Sequence, residues 1–195
     1  MKVKVTIKGI SPMLMNPATE ELLDQLEGTA GARKIKDTES TPKERAEKKG
    51  IKGKDGKVGV PQEYLTACLI EAGRQMKVDA KRNISTKEST LLYSFLSIEE
   101  IFFPFKDQSF EWETDRRKGT LNNAGKKVAV CITRPRFDEW AFDATFVIRE
   151  KELAESKVKE LLEKAGTGVG LGDFRPACRG PFGRFEIAKW EVVDG

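Results

Sequence analysis

The stretch Gly166-Thr167-Gly168-Val169-Gly170-Leu171-Gly172-Asp173-Phe174-Arg175-Pro176-Ala177-Cys178-Arg179-Gly180-Pro181-Phe182-Gly183-Arg184-Phe185 is the most informative part of the chain. It holds six glycines, three arginines and three phenylalanines. Glycine at this density lets a backbone take positive φ and come close to another backbone or to a ligand. Backbone N–H groups displayed in such turns can cradle phosphate oxygens. Arginine adds forked donors for phosphate and a flat face for stacking on bases. The plainer reading is a tight connection between a helix and a strand, with solvated arginines.

The flanks fix what is connected. Upstream, 151–165 reads as a helix with Leu153, Leu161 and Leu162 inward, and Gly166 stands where a glycine stops a helix. Downstream, 184–193 reads as a strand with apolar groups on both faces, which predicts a central position in a sheet. At the other end, 2–10 alternates Val3, Val5 and Ile7 against Lys2, Lys4, Thr6 and Lys8, the pattern of a half-buried strand. Gly9, Pro12 and Pro17 end it, 11–15 is an apolar loop expected to tuck against the core, and 18–27 reads as a short helix.

Residues 28–57 differ in kind. They carry ten Lys or Arg and five Asp or Glu, a surplus of five positive charges, with almost no apolar side chains beyond Ile35 and Ile51. Such a segment cannot bury enough apolar surface to offset its ordering entropy. It is expected to be a flexible basic insertion in which Lys48, Lys49 and Lys52 meet a polyanion.

Pro61 opens the next helix at its first position, with Tyr64, Leu65, Cys68, Leu69, Ala72 and Met76 as one buried stripe. A second short helix is expected over 85–95, with Ser85 and Glu88 as a capping box. Residues 96–105 read as one strand. Strands at 109–114 and 128–133 then flank a turn-rich projecting tip, 115–127. From Arg116 to Arg136 there are seven basic residues and no acid: Arg116, Arg117, Lys118, Lys126, Lys127, Arg134 and Arg136. A strand over 140–148 precedes the last helix.

Composition bounds the chemistry. The chain has 195 residues, 34% of them charged, and a net charge of +4, enough for one domain with a core and modestly basic. The first residues alternate with no signal-peptide core, which reads as a cytoplasmic protein. Three widely spaced cysteines form no CxxC pair, so neither a zinc knuckle nor a disulfide framework is indicated. There is no histidine, which removes Ser-His-Asp and Cys-His catalysis and imidazole metal ligation. No metal site and no cofactor is expected.

The element order is β-α-β-β-α-β. It predicts one α+β domain with a ferredoxin-like, RRM-like core, the long basic insertion after the first strand, and the basic β-hairpin. Both helices would cover one sheet face, leaving the other open for RNA. The opening Gly9-Ile10-Ser11-Pro12-Met13-Leu14, together with the run from Ala165-Gly166 to Arg179-Gly180-Pro181-Phe182-Gly183-Arg184-Phe185, resembles the RAMP superfamily of CRISPR-associated RNA-binding proteins. The likeness is nearest to the backbone subunits that polymerise along a guide RNA. Pro176 and Pro181 interrupt the glycine loop and depart from the usual pattern.

The resemblance implies a non-catalytic, antiviral-defence subunit that binds single-stranded RNA and assembles with copies of itself and other subunits of a ribonucleoprotein. Its binding residues would be Gly168, Gly170, Gly172, Arg175, Arg179, Gly180, Gly183 and Arg184, joined by the hairpin cations, with Phe103, Phe105 or Phe182 stacking on bases. Two alternatives stay open. One is a phage or plasmid accessory protein binding single-stranded DNA or a protein partner, through a patch of Phe102, Phe103, Phe105, Phe110 and Trp112. The other is a metal-dependent nuclease using acids among Asp79, Glu99, Glu100, Asp115, Asp138, Asp143 and Asp173, whose spacing does not demand it; a backbone-type member with an acidic cleavage residue would use Asp37 or Asp55.

Overall fold

A computed structural model describes residues 1–19, 23–24, 27, 40–109, 111–123 and 126–193, with backbone alone for 121–123 and 126. The chain is mixed α+β, with antiparallel sheets and four α-helices among the described residues. Its main sheet has four strands. They are β1 (Lys2–Gly9), β4 (Leu96–Ile98), β8 (Ala141–Ile148) and β9 (Phe185–Val193), in the order β4-β8-β1-β9 with every neighbouring pair antiparallel. The short strand β2 (Met13–Leu14) extends a long hairpin made of β6 (Glu113–Asn123) and β7 (Lys126–Phe137). β3 (Gly59–Pro61) pairs with β5 (Phe102–Pro104). The helices are α1 (Pro42–Glu47), α2 (Gln62–Gly73), α3 (Leu92–Phe95) and α4 (Glu155–Lys164).

Strict alternation in β1 and β8 turns Val3, Val5, Ile7, Phe142, Ala144, Phe146 and Ile148 inward, all fully buried. They meet Leu65 and Leu69 of α2 and Val158, Leu161 and Leu162 of α4 in a single core. The core also takes an aromatic layer: Phe103 stacks on Phe142 at 5.1 Å, and Phe105 meets Phe137 edge-on at 5.5 Å. Phe103 and Phe105 are therefore packing residues, not an exposed surface, and burying each contributes about 1.5–3 kcal/mol.

Several boundaries depart from the sequence reading, each for a local reason. Residues 96–105 are two strands in two sheets, separated by a bend at 99–101. Pro61 is the N-cap of α2, not its first residue. Ser85 is buried and its hydroxyl meets Thr90 Oγ1 at 2.8 Å, so it caps nothing and the helix there is only α3. α4 continues through a wide turn, Ala165–Val169, because Gly166 is packed against Phe185; the stop is Gly170 at φ 76°.

β9 is an edge strand, not a central one. Its mixed faces come from a bulge: Ile7 pairs with Ile187 but Thr6 with Lys189, so Ala188 is extra and the strand's alternation slips by one.

The excursion over 28–57 is corrected in its second half. Thr41 and Glu44 form a capping box on α1, Ala46 is fully buried, and the helix packs on β6 and β7. Residues 28–39 lie outside the described residues, as do 20–22 and 25–26 of the helix expected over 18–27. The tip expected over 115–127 is a regular ladder, paired from Glu113↔Arg136 to Asn123↔Lys126.

The sheet face away from the helices is a polar lattice. Lys4 and Lys106 both reach Asp143, at 3.4 and 2.8 Å, and Thr6 donates to it at 2.7 Å. Glu99 holds Lys2, and Glu100 accepts from Thr145. Its outward positions carry no aromatic ring on β1 or β8, so the stacking platform expected of that face is absent there. No described helix is long and apolar enough to cross a membrane.

Burial pushes the Asp143 carboxyl up, but hydrogen bonds from Lys106, Thr6 and Lys4 outweigh it and hold the group below its ordinary value. A depressed folded pKa stabilises above the unfolded pKa, and the gain drains away as pH falls through the folded value. Asp143→Asn should thus lower the urea midpoint at neutral pH, and the gap to wild type should narrow as pH falls below the ordinary carboxylate range; a constant gap at all pH values would contradict this.

Candidate nucleic-acid interface

The β6–β7 register sorts the basic block by face. Residues alternate sides along a strand, and directly paired residues share a side. One face carries Thr114, Arg116, Lys118, Thr120 and Asn122 on β6 against Pro135, Thr133, Cys131, Ala129 and Lys127 on β7. That face has cations and no acid. Arg116, Lys118 and Lys127 are exposed there, and none has an ion-pair partner among the described residues. Lys126 is at the hairpin end opposite Asn123.

The opposite face carries Glu113, Asp115 and Arg117 against Arg136, Arg134 and Ile132. Its cations are spent on acids. Arg136 lies 2.6 Å from Asp138 and 3.3 Å from Glu113. Arg134 is only 3% exposed and donates to Asp115 at 2.8 Å and to Asp173 at 2.7 Å. Its Nε is buried without a partner. Asp115 also accepts from Arg117, whose guanidinium lies 4.7 Å from the Phe182 ring centroid and 5.9 Å from that of Phe174. The hairpin base is thereby fastened to the glycine-rich loop.

That loop is packed on its own chain. Gly170, Gly172 and Gly183 take positive φ, and a Cβ at Gly183 would strike the Leu171 carbonyl. A Cβ at Gly180 would strike Phe174 O. The N–H groups of Gly170, Gly180 and Gly183 donate to Ala165, Arg175 and Pro12 carbonyls. These three amides hold the fold, so the phosphate cradle expected of them is corrected. Gly168 has open space around it. Phe182 is buried and tilted against Phe174 at 6.0 Å, which removes it from base stacking.

The arginines of the loop fare differently. Arg175 is half-buried and donates to Gly172 O at 3.0 Å. Arg184 is exposed, while its backbone N–H donates to Ser11 Oγ. Arg179 is exposed in a left-handed conformation, φ 62°, at the end of the short turn Pro176–Cys178. A side-chain-bearing residue held there costs of order 1 kcal/mol, and such strain gathers at functional sites.

The three insertion lysines follow α1. Lys48 is its C-cap, and Lys52 is exposed, with its backbone bridged to Val58. Lys49 donates to Asn16 at 2.8 Å; burial, then the charge of Arg134, pull its pKa down, while Asp173 opposes them. Lys49 therefore belongs to the Arg134 network, a placement that no sequence pattern showed.

The carboxylates proposed for metal-dependent cleavage are dispersed. Asp79 pairs with Arg82, Asp55 with Lys57, Glu99 with Lys2, Asp138 with Arg136, and Asp143 with Lys4 and Lys106. Asp37 lies outside the described residues, and among those described no three of His, Cys, Asp or Glu gather as ligands. The apolar patch proposed for a protein partner is likewise divided, since Phe103 and Phe105 are core, Trp112 is half-buried under Lys43, and Phe110 is not described.

Against known proteins, the chain matches no protein-family model and shows no significant match to a curated protein.

Removing one member of a buried ion network leaves its partner unpaired, at a cost of about 3–5 kcal/mol, whereas replacing the members together with apolar groups costs far less. Arg134→Met should therefore lower unfolding free energy by roughly that amount, and Arg134→Met with Asp115→Leu should recover part of it. Additive losses in chemical denaturation would show that the two side chains are not coupled.

Proposed function

We propose that this chain is a non-catalytic subunit that binds single-stranded RNA along the acid-free face of its hairpin and the neighbouring Arg179 and Arg184. The observation that carries the reading is the split of the basic block: one face of the ladder pairs its cations internally, and the other leaves Arg116, Lys118 and Lys127 to solvent. A strand that repeats side-chain direction every second residue spaces such cations about 7 Å apart, a row suited to a run of phosphates.

The sheet order supports a ferredoxin-like, RAMP-type architecture. Taking β1, α2, β4, β8, α4 and β9 as the core, the chain runs β-α-β-β-α-β, with the last strand beside the first and the third beside both the first and the second. In chain order residues 28–57 come between β1 and α2 of that core, and the hairpin comes between its second and third strands. In this reading several copies lie along one strand through head-to-tail contacts, as backbone subunits of a ribonucleoprotein do. The lattice of paired charges on the open sheet face favours the hairpin over that face as the track.

Fluorescence anisotropy with labelled RNA and DNA strands of equal sequence tests this. Affinity should fall steeply between about 50 and 200 mM salt, with a slope near 0.7 per phosphate contacted. Changing Arg116, Lys118 and Lys127 together to Glu should weaken binding more than about tenfold and flatten that slope by about two units. Unaltered affinity in that variant would overturn the track, and equal or tighter binding of DNA would replace RNA with single-stranded DNA as the partner.

A further inference from the structure

A cavity of about 310 Å³ opens between α2 and the glycine-rich loop, walled by Tyr64 and Ala67 of the helix, by the Gly170–Gly172 backbone, and by Asn16, Asp173 and Arg175. Its size is at the lower end of the range of about 300–1,000 Å³ found for ligand sites, right for one small molecule rather than a peptide or a helix.

Its walls divide by chemistry. The Tyr64 ring and the Ala67 methyl give an apolar side, and Gly170 and Gly172 contribute backbone without side chains. Cys68 at its floor is neutral, its thiol pushed up to about 12 by burial. The polar side holds donors in reserve. Arg175 uses one nitrogen on Gly172 O, and its other two have no partner among the described residues. Asn16 accepts from Lys49 through Oδ1, which leaves its amide nitrogen without a partner there. The Tyr64 hydroxyl, in the field of both Arg175 and Asp173, also has none.

The charge around the cavity is unbalanced. Of its two charged lining residues, Asp173 is already engaged by Arg134, which leaves the Arg175 guanidinium as the charge not neutralised by an ion pair among the described residues. Glu63, beside Tyr64, does not line the cavity. A phosphate monoester carries about −1.5 to −2 at neutral pH and three acceptor oxygens, where a diester inside a strand carries about one charge.

We infer that this cavity is a nucleoside monophosphate site, the phosphate held by Arg175 with the Asn16 amide and the base laid against Tyr64. The ligand is either a free mononucleotide or the phosphorylated end of a strand. The first form is independent of the hairpin track; the second rests on the strand-binding reading above.

Isothermal titration of the full chain tests it with AMP, GMP, CMP and UMP, with the matching nucleosides and inorganic phosphate alongside, and with oligonucleotides bearing or lacking a terminal phosphate. Monophosphates should bind at least tenfold more tightly than nucleosides or phosphate alone. Arg175→Gln should cost more than tenfold, and Ala67→Trp, made at an exposed helix position, should fill the cavity and abolish binding. Thermal melts check folding, and if one variant is unfolded the other decides.

Binding of free monophosphates that both folded variants lose identifies the mononucleotide source. Binding confined to end-phosphorylated strands, lost in the same variants, identifies the strand end. No preference for a monophosphate in either form, or a preference that survives Ala67→Trp, overturns the site. Undiminished binding of unphosphorylated strands in that case leaves the hairpin track standing; the converse pattern, monophosphate binding without strand binding, overturns the track and keeps the pocket.

Discussion

The placement of Arg134 between Asp115 and Asp173 is the constraint on which the arrangement of the hairpin and the glycine-rich loop depends. Arg134 is on β7, Asp115 is its partner across the hairpin, and Asp173 belongs to the glycine-rich loop. The loop is tied in turn to the first connection, because Asp173 N–H donates to Leu14 O at 2.7 Å and Gly183 N–H donates to Pro12 O at 2.8 Å. β2 completes the circuit by pairing Met13 and Leu14 with Phe137 and Arg136 of β7. Three segments far apart in sequence thus hold one another. Burying the charges of Arg134 and Asp115, with Asp173 half-buried beside them, is expensive, and the net gain over apolar packing is small. What the network supplies is direction: it sets the angle at which a two-stranded hairpin, marginal by itself, leaves the domain.

That direction follows from the pairing of charges on one face only. A hairpin with cations on both sides and acids on neither would repel itself and the loop. Here one face carries Glu113 and Asp115 against Arg136 and Arg134, while the other carries no counter-charge among the described residues of the hairpin. In the sequence the block from Arg116 to Arg136 has no acid, but carboxylates that neutralise it sit just outside it, at Glu113, Asp115 and Asp138, and one more sits at Asp173. Only the register, a non-local property, tells which cations those acids reach.

The same distinction governs what could be read from the chain. β1 and β8 were legible because one face is buried along the whole strand and period two survives intact. The buried stripe of α2 was legible for the matching reason at period 3.6. β9 misled because a single bulged residue, Ala188, swaps the faces midway, and alternation read through a bulge mimics a strand buried on both sides. The hairpin misled in the other direction: Gly119, Asn122 and Asn123 are turn formers by local preference, yet the ladder runs through them, with Gly119 leaving room for the Ile132 side chain across the pair. α1 was hidden by its charge, since one buried alanine and a capping box suffice when a partner surface already exists. Phe103 and Phe105 fall in a short run of aromatics that by itself does not tell inside from outside; their alternation with Phe102 and Pro104 is what sends them inward.

The glycine-rich loop shows how one residue type can be informative for a reason other than the obvious one. Its density of glycine suggested a backbone opened toward phosphate. In the structure most of that freedom is used for close approach of the chain to itself, at Leu171, Phe174 and Phe185, and the amides of Gly170, Gly180 and Gly183 donate to the chain's own carbonyls. A loop so closely packed has most of its backbone turned to its own chain, and what it presents to solvent is the side chains that the packing drives outward. Pro176 and the tight turn after it force Arg179 into a left-handed conformation, and Gly183 turns the chain so that Arg184 emerges just before β9. The glycines and the arginines are therefore one device: the first fix a rigid base, and the second stand on it, beside a hairpin held in place by the buried guanidinium of Arg134.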